Sequence, residues 1–407
     1  MTRSVIPDGG SGGPPSVRVP LGLPEREIGR VVGERAGATL IAVAGIHGNE
    51  QAGIHGARRV IERLSRGDVK LRGELIVFAG NVGAMREGRR YLVRDLNRVW
   101  TEAKVADLEA RAARVVSGAA EDVVLDPEDR EQFEILGAIR EVIARARGPV
   151  YLVDLHTTSA HGVPFALFGD TLAQRAFVSA LPLPIIMGLE EQVDGVLSSY
   201  WTRNGCITFG VEGGQHHDEA SVDNLEAVLL LAAQAAGVFA EGAVAETRAA
   251  HALLDSRRGN LPRFMEVVRR HAIAPEDAFK MEPGFKNLDH ACAEQLLARD
   301  RNGEIRAPSD GLVMLPLYQP QGDDGFFWGR AVSAARLRAS EALRHLRLDR
   351  FLDLLPGIAR DKAHPSRFIV DAGIAKLYPR GVFHMLGYRR IRARADANEL
   401  TVERQPE

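Results

Sequence analysis

The sequence predicts an α/β fold with a largely parallel sheet, and three features of the chain lead to this prediction. Short apolar runs at 39–44, 74–79 and 150–155 are typical of strands buried on both faces. Helix-length segments separate these runs, and this alternation is typical of a parallel sheet. Polar residues follow the runs directly, and sites in such sheets form at the carboxyl ends of the strands.

The first run ends in a turn that carries His47 and Glu50, three residues apart, before a helix-like segment at 51–65. A histidine and a carboxylate on such a turn can point at one spot and hold a divalent metal. Taken alone, the pair is explained equally well by a polar turn with a glutamate at a helix start.

The third run continues into Asp154-Leu-His156, where the strand period of two puts both polar side chains on one side. His156 therefore offers a third ligand beside His47 and Glu50. Two histidines, one carboxylate and an open position for water make up the usual hydrolytic zinc site. Asp154 is expected to support the site rather than to bind the metal.

A further strand, beginning at Cys206, ends at Glu212 and is followed by Gly213 and Gly214. A carboxylate at this place can take a proton from water and return it to a leaving amine. The alternative is a strand-end carboxylate paired with a nearby arginine. The two glycines are expected to give backbone room for a substrate.

The irregular loop at 89–98 supplies candidates for substrate binding. Arg98 with Asn97 offers a guanidinium and an amide, and arginine pairs bidentately with carboxylates. Outside this pair, Arg90, Arg94 and Arg203 are further candidates for binding a second carboxylate or for polarising a scissile carbonyl. The alternatives are a structural ion pair for Arg98 and a solvated basic loop around Arg90.

The composition restricts partners and compartment. The 407 residues include 45 % apolar and 26 % charged residues, and the formal net charge is −2. Because there is no global positive field, neither a nucleic-acid nor a membrane partner is expected. Cys206 and Cys292 cannot form a disulfide framework, and residues 1–15 lack the apolar segment of a signal peptide. We therefore expect a cytoplasmic protein.

Four motifs, in this order, resemble those of the succinylglutamate desuccinylase/aspartoacylase family, a branch of the zinc carboxypeptidase-like (M14-type) fold. They are Gly-x-His47-Gly-x-Glu50, Asp95-Leu-Asn97-Arg98, Asp154-Leu-His156 and Val211-Glu212-x-Gly214. The resemblance implies a three-layer, mixed-sheet, zinc-carboxypeptidase-like catalytic domain with a smaller C-terminal β-rich domain. It also implies that the metal ligands are His47, Glu50 and His156, and that the general acid/base is Glu212. The side chains that it implies for substrate binding are Arg90, Asn97 and Arg98.

The chain departs from the family pattern at two specificity positions. Aspartoacylase-like members place a further substrate arginine shortly before the catalytic glutamate, where this chain has Thr202 with Arg203 as its neighbour. Those members also use a tyrosine from the C-terminal domain, and Tyr318 lies in the corresponding region.

Changes in composition and residue pattern along the chain predict four segments. A Gly- and Pro-rich disordered lead covers 1–16, and the zinc hydrolase catalytic domain covers 17–245. Turn-forming pairs between short apolar pieces predict the β-rich domain at 246–330. Residues 331–407 are predicted to form an α/β extension.

The sequence predicts a zinc-dependent amidohydrolase that acts on linear amides. It cleaves the C–N bond of an N-acyl amino acid, which is not a peptide bond. The metal is Zn²⁺, the substrate is a small molecule, and the protein is a possible homo-oligomer. One alternative is a metallocarboxypeptidase acting on short peptides, because the same metal and arginine set serves that chemistry. The other is a non-catalytic binding module, although such a module has no need of Glu212.

Overall fold

A computed structural model describes residues 25–67, 69–117, 124–240, 242–371, 373, 380–393 and 399–405. The predicted disordered lead at 1–16 lies outside these residues. Within the described segments, every helix is too short or too polar to span a bilayer.

The strands of the described residues run in chain order as follows. They are β1 (Glu27–Val32), β2 (Arg35–Ala44), β3 (Arg72–Ala79), β4 (Val150–Thr158), β5 (Phe165–Phe168), β6 (Ile185–Met187), β7 (Ile207–Gln215), β8 (Phe264–Ala272), β9 (Lys280–Met281), β10 (Asp289–Ala291), β11 (Leu296–Asp300), β12 (Gly303–Arg306), β13 (Gly311–Met314), β14 (Asp324–Ala331), β15 (Ile358–Arg360), β16 (Arg367–Asp371), β17 (Arg390–Ala393) and β18 (Glu399–Glu403).

The helices are given in the same way. They are α1 (Ala52–Leu64), α2 (Val82–Glu87), α3 (Glu102–Val116), α4 (Pro127–Arg145), α5 (Leu172–Val178), α6 (Leu189–Gln192), α7 (Leu197–Arg203), α8 (Glu219–Ala235), α9 (Glu246–Arg258), α10 (Ala334–His345) and α11 (Arg380–Met385), with 3₁₀ turns at Leu96–Arg98, Pro275–Asp277 and Leu348–Leu354.

Eleven of these strands form one mixed sheet in the order β1-β3-β2-β4-β7-β5-β6-β8-β14-β13-β10. Strands β3, β2, β4 and β7 are parallel neighbours, as the alternation of strands and helices predicted. Strand β5 runs antiparallel to β7, and the strands beyond β8 are antiparallel. The predicted mixed α/β fold is confirmed.

Helices cover both faces of this sheet, so the fold has three layers. The side chains of β2 point alternately into the two apolar clusters between sheet and helices. Leu40, Ala42 and Ala44 pack into one apolar cluster with α1, α8 and α9. Ile41 and Val43 point the other way, into a second cluster with α3, α4 and α7. All five side chains are fully buried, so β2 is a continuous apolar run rather than an alternating one.

The predicted β-rich segment continues the same sheet. Strand β8 pairs with β6 through Phe264–Glu266 on one edge and with β14 on the other. Strands β9, β11 and β12 form a small separate sheet beside it. The division of this region from the α/β part at residue 245 stays a prediction.

The C-terminal extension has its own four-stranded sheet, in the order β15-β16-β18-β17, and its own small core. A buried carboxylate joins this extension to the main sheet. Asp170, directly after β5, accepts from Arg175 Nε and Arg389 Nε at 2.6 Å each, and Arg344 Nη1 lies 3.7 Å away. Arg344 and Arg389 belong to the extension, so Asp170 ties it to the main sheet.

Replacing Asp170 with Asn is expected to lower the free energy of unfolding at pH 7 by about 3–5 kcal/mol, because buried guanidinium groups lose their counter-charge. Burial opposes ionisation of Asp170, but Arg389 and Arg175 outweigh it and lower its pKa to about 2. The ionised Asp170 therefore stabilises the folded state above about pH 4, which is the pKa of an aspartate in the unfolded chain. This contribution is lost as the pH falls through 2.

The difference in unfolding free energy between wild type and Asp170→Asn, measured in urea, should therefore narrow from pH 4 to pH 2. The control is Asp107→Asn, which removes an exposed partner of Arg111 and should cost at most about 1 kcal/mol. A small, pH-independent effect of Asp170→Asn would contradict this role.

Candidate metal centre and active site

The carboxyl ends of three parallel strands bring the predicted ligands and Glu212 together. His47 and Glu50 follow β2, and His156 lies near the end of the adjacent β4. In the parallel register of β4 and β7, His156 is the direct partner of Glu212. The ring centres of His47 and His156 are 5.1 Å apart.

The turn after β2 holds His47 in place through close backbone packing. Gly45 has a φ of +73°, which favours glycine, and reverses the chain after the strand. A side chain at Gly48 would put its first carbon 2.3 Å from the backbone of Ala84. Gly48 N–H also donates to the carbonyl of Arg90 at 3.0 Å. The motif glycine therefore lets the loop carrying Arg90 lie against the ligand turn.

His47, Glu50 and His156 offer donor atoms that all lie within 4.8 Å of one another, and all three side chains are buried. The Nδ1 atoms of the two histidines face Glu50, at 2.8 Å from Oε1 for His47 and 3.0 Å from Oε2 for His156. Two nitrogens and a carboxylate thus converge on one point, which is a donor set suited to a divalent metal.

Each histidine has a carboxylate on its outer nitrogen. Nε2 of His47 lies 3.0 Å from Oδ1 of Asp95, and Nε2 of His156 lies 3.0 Å from Oδ2 of Asp154. A ligand histidine commonly donates its outer N–H to such a carboxylate, which leaves the inner lone pair free for the metal. The residues present therefore fit a metal bound through both Nδ1 atoms.

Carboxylates and cationic side chains lie next to one another around the candidate ligands. Burial alone would raise the pKa of Glu50, but His47 and His156 outweigh it and hold this pKa well below the ordinary value. Arg90 donates to Oδ2 of Asp95 at 2.9 Å, and its Nη1 lies 3.4 Å from Oε1 of Glu50. Arg90 is thus a partly buried cation beside the candidate ligands and not part of a solvated basic loop.

Glu212 lines the same cavity and is 9 % exposed. Its Oε2 is buried and has no hydrogen-bond partner among the described residues. Burial raises the pKa of Glu212 well above the ordinary value; His156 acts against this rise and Glu50 adds to it. A carboxyl group in this environment is suited to accept a proton and to give it up again.

The glycines after Glu212 have a different role from the one predicted. A side chain at Gly213 would collide with Leu225 of α8 at 2.4 Å, and one at Gly214 would meet Ser221 Oγ at 2.6 Å. Neither glycine lines the cavity. They allow α8 to pack closely on β7, so the expectation of backbone room for a substrate was wrong.

Asn97 and Arg98 both line the cavity, but each also has structural partners. Asn97 Oδ1 accepts from Leu197 N–H at 2.8 Å, and its Nδ2 lies 3.3 Å from His156 Nε2. Arg98 donates through Nη2 to Asp324 Oδ2 at 2.7 Å. Its Nε is buried and without a partner among the described residues, so one donor of Arg98 is available.

Arg203 does not line the cavity that holds the metal donors. It ends α7, where the neighbouring Thr202 faces that cavity, and one residue along a helix turns the side chain by about 100°. Arg203 borders a smaller neighbouring cavity. Tyr318 also points elsewhere, because its hydroxyl donates to the carbonyl of Glu282 at 2.7 Å.

The empty space of the cavity is about 1090 Å³, including open solvent at its mouth. The predicted β-rich segment forms part of its wall through Leu315–Leu317, Gln319, Gly322–Asp324 and Phe327. Sequence reasoning missed Asp324, Glu190 and Gln405 as lining residues. No local pattern marks them, because each comes from a segment remote from the ligand motifs.

Comparisons with known proteins bear on this site. The model of the succinylglutamate desuccinylase/aspartoacylase catalytic domain matches residues 36–237. A succinylglutamate desuccinylase of Burkholderia pseudomallei is 30 % identical over 238 residues, which are 56 % of this chain and 61 % of that protein. The chain therefore matches less than two thirds of the length of that relative.

Two crystal structures have the same fold. One is a succinylglutamate desuccinylase/aspartoacylase from Rhodobacter sphaeroides, with a TM-score of 0.54 and 17 % identity over 75 % of this chain and 88 % of that one. The other is a succinylglutamate desuccinylase from Vibrio cholerae, with a TM-score of 0.52 and 14 % identity over 75 % and 85 %.

Proposed function

This chain belongs to the succinylglutamate desuccinylase/aspartoacylase family, and we propose that it is a zinc-dependent hydrolase of N-acyl amino acids. The products are a carboxylic acid and an amine. The observation that carries the proposal is the convergence of His47, Glu50 and His156 on one point, with Glu212 on the neighbouring strand.

The metal would be held by Nδ1 of His47, Nδ1 of His156 and the carboxylate of Glu50. When bound, zinc supplies a Lewis acid that polarises the scissile carbonyl and lowers the pKa of water to about 7. Asp95 and Asp154 orient the two imidazoles through their outer nitrogens.

Glu212 moves the protons of the reaction. It takes one proton from the attacking water as the new C–O bond forms, and it delivers this proton to the amide nitrogen as the C–N bond breaks. The buried Oε2 of Glu212 is suited to this exchange, because no group in the described part of the chain holds it in a competing hydrogen bond.

Arg90, Asn97 and Arg98 position the substrate. Arg90 is a partly buried guanidinium beside Glu50 and would stabilise negative charge that develops on the carbonyl oxygen. Arg98 Nε and the amide of Asn97 would hold the substrate carboxylate. The β-rich segment walls the cavity, and this supports a small substrate over a peptide in an extended groove.

The test is a rate screen of the zinc-loaded protein against N-acetyl, N-succinyl and N-formyl amino acids. We expect hydrolysis of at least one class, with equal amounts of acid and amine formed. Zinc-loaded protein that hydrolyses none of them but cleaves short peptides would overturn the proposal in favour of a carboxypeptidase.

Replacing Arg98 with Ala is expected to raise KM by about 10- to 100-fold, because a hydrogen bond to a charged group is lost. Steady-state kinetics on the substrate found in the screen measure the change. The matched control is Arg270→Ala, since Arg270 also binds Asp324 but does not line the cavity. Equal effects of the two variants would mean that Arg98 serves only to hold Asp324.

A further inference from the structure

A part of the cavity wall that carries no metal donor contains two buried oxygen atoms that have no hydrogen-bond partner among the described residues. They are Oε1 of Glu190, in α6, and Oε1 of Gln405, two residues after the end of β18. Both residues line the same cavity as the metal donors. A buried acceptor without a donor costs free energy, so both atoms are suited to a ligand that brings N–H groups.

Glu190 differs from the carboxylates around it. Asp170 is paired with arginines on two sides, and Glu191 binds Arg389 Nη1 at 3.0 Å and faces His384 Nε2 at 3.3 Å. Among the described residues, no cation lies within salt-bridge distance of Glu190. Arg389, the nearby candidate, is already engaged by Asp170, Glu191 and Met187.

On its other side, this wall borders the smaller cavity, which Arg203, Arg389, Arg390 and Arg404 line together with Glu190 and Gln405. Of these arginines, Arg389 is engaged by Asp170 and Glu191, Arg390 by Asp194 and Arg404 by Asp349.

On the side of the larger cavity, the wall carries uncharged polar groups. Gln174 Nε2 donates to the hydroxyls of Thr202 and Thr208 at 3.0 Å each, so these side chains form a neutral polar group. Among the described lining residues, the guanidinium groups are Arg90 and Arg98, which are engaged with carboxylates next to the metal donors.

The C-terminal extension holds the second acceptor, Oε1 of Gln405, in position. A side chain at Gly169 would put its first carbon 2.3 Å from Gln405 Oε1, so the Gln405 amide lies directly on the backbone of Gly169. Asp170, the next residue, is bound by Arg389 of the extension. The extension therefore places Gln405 where it completes the cavity wall.

Burial and the neighbouring Glu191 raise the pKa of Glu190 to about 8. A carboxyl group with this pKa holds a proton in the free cavity for much of the neutral range. A cationic ligand would favour the ionised form and form a charge-assisted hydrogen bond with it.

We propose that Glu190 and Gln405 form a subsite for a cationic amino group of the substrate. The inference rests on the proposed function, and it narrows the substrates to N-acyl diamino acids. Acetyl, succinyl and formyl groups carry no cation, so the amine half must supply the second amino group. The residues at the C-terminal end of the chain thereby take part in substrate selection.

The test compares kcat/KM for Nα-acyl ornithine and lysine with kcat/KM for the Nα-acyl norvaline and norleucine of matching length. The zinc-loaded full chain should prefer at least one cationic substrate by about 10- to 100-fold. Glu190→Gln should bring this ratio close to one, and Gln405→Ala should lower it less. Glu141→Gln, which removes an exposed carboxylate, should keep the wild-type ratio.

A wild-type ratio near one, or a ratio unaffected by Glu190→Gln, would overturn the subsite. A second measurement keeps this result separate from failure of the proposed function. Calorimetry compares binding of free ornithine and lysine with that of norvaline and norleucine. If no N-acyl amino acid is hydrolysed, the proposed function fails; a Glu190-dependent preference for the diamino acid then still supports the subsite, and equal binding overturns it.

Discussion

Replacing Glu212 with Gln is expected to lower kcat by about 10²- to 10⁴-fold while zinc stays bound. Gln cannot carry the proton between water and the leaving nitrogen. It has nearly the same shape as Glu, so the cavity and the three metal donors should be preserved. The measurements are the steady-state rate on the substrate found in the screen and the zinc content per chain.

The control for this variant is Glu219→Gln, which changes an exposed glutamate at the start of α8 and should keep the wild-type rate. Wild-type kcat in Glu212→Gln would show that Glu212 moves no proton. Loss of zinc together with activity would instead place Glu212 among the groups that hold the metal.

Replacing His156 with Ala is expected to remove both zinc and activity. Two donors would remain, and the cavity would lose the imidazole that lies between Glu50 and Asp154. Zinc content after dialysis should fall from about one per chain to a small fraction, because the usual site needs three protein ligands. The matched control is His161→Ala, an exposed histidine five residues along the chain, which should retain full zinc. Full zinc content in His156→Ala would contradict the ligand assignment.

The convergence of the three candidate metal ligands could be predicted from the sequence, because short stretches of sequence mark where strands end. An apolar run that stops at a polar residue marks the carboxyl end of a buried strand, and parallel neighbours bring such ends to one edge. The period of two along β4 placed Asp154 and His156 on one side, and the structure pairs them at 3.0 Å. His47, Glu50 and His156 therefore came together as a group.

The rest of the cavity depends on contacts between distant segments, which local patterns do not encode. Arg98 and Asp324 are 226 residues apart along the chain, yet they share a hydrogen bond. The glycines after Glu212 pack against α8, and nothing in their sequence separates that role from substrate access. Glu190 and Gln405 line one cavity although 215 residues separate them, and ion pairs of Arg389 with Asp170 and Glu191 join the extension to the main sheet.

The central claim is that one zinc ion, held by His47, Glu50 and His156, enables this chain to hydrolyse an N-acyl amino acid. Its most direct test is the rate of hydrolysis during titration of metal-free protein with zinc. We predict that the rate rises in proportion to added zinc and reaches its plateau at one equivalent per chain. An undiminished rate without metal, or no hydrolysis at one bound zinc per chain, would contradict the account.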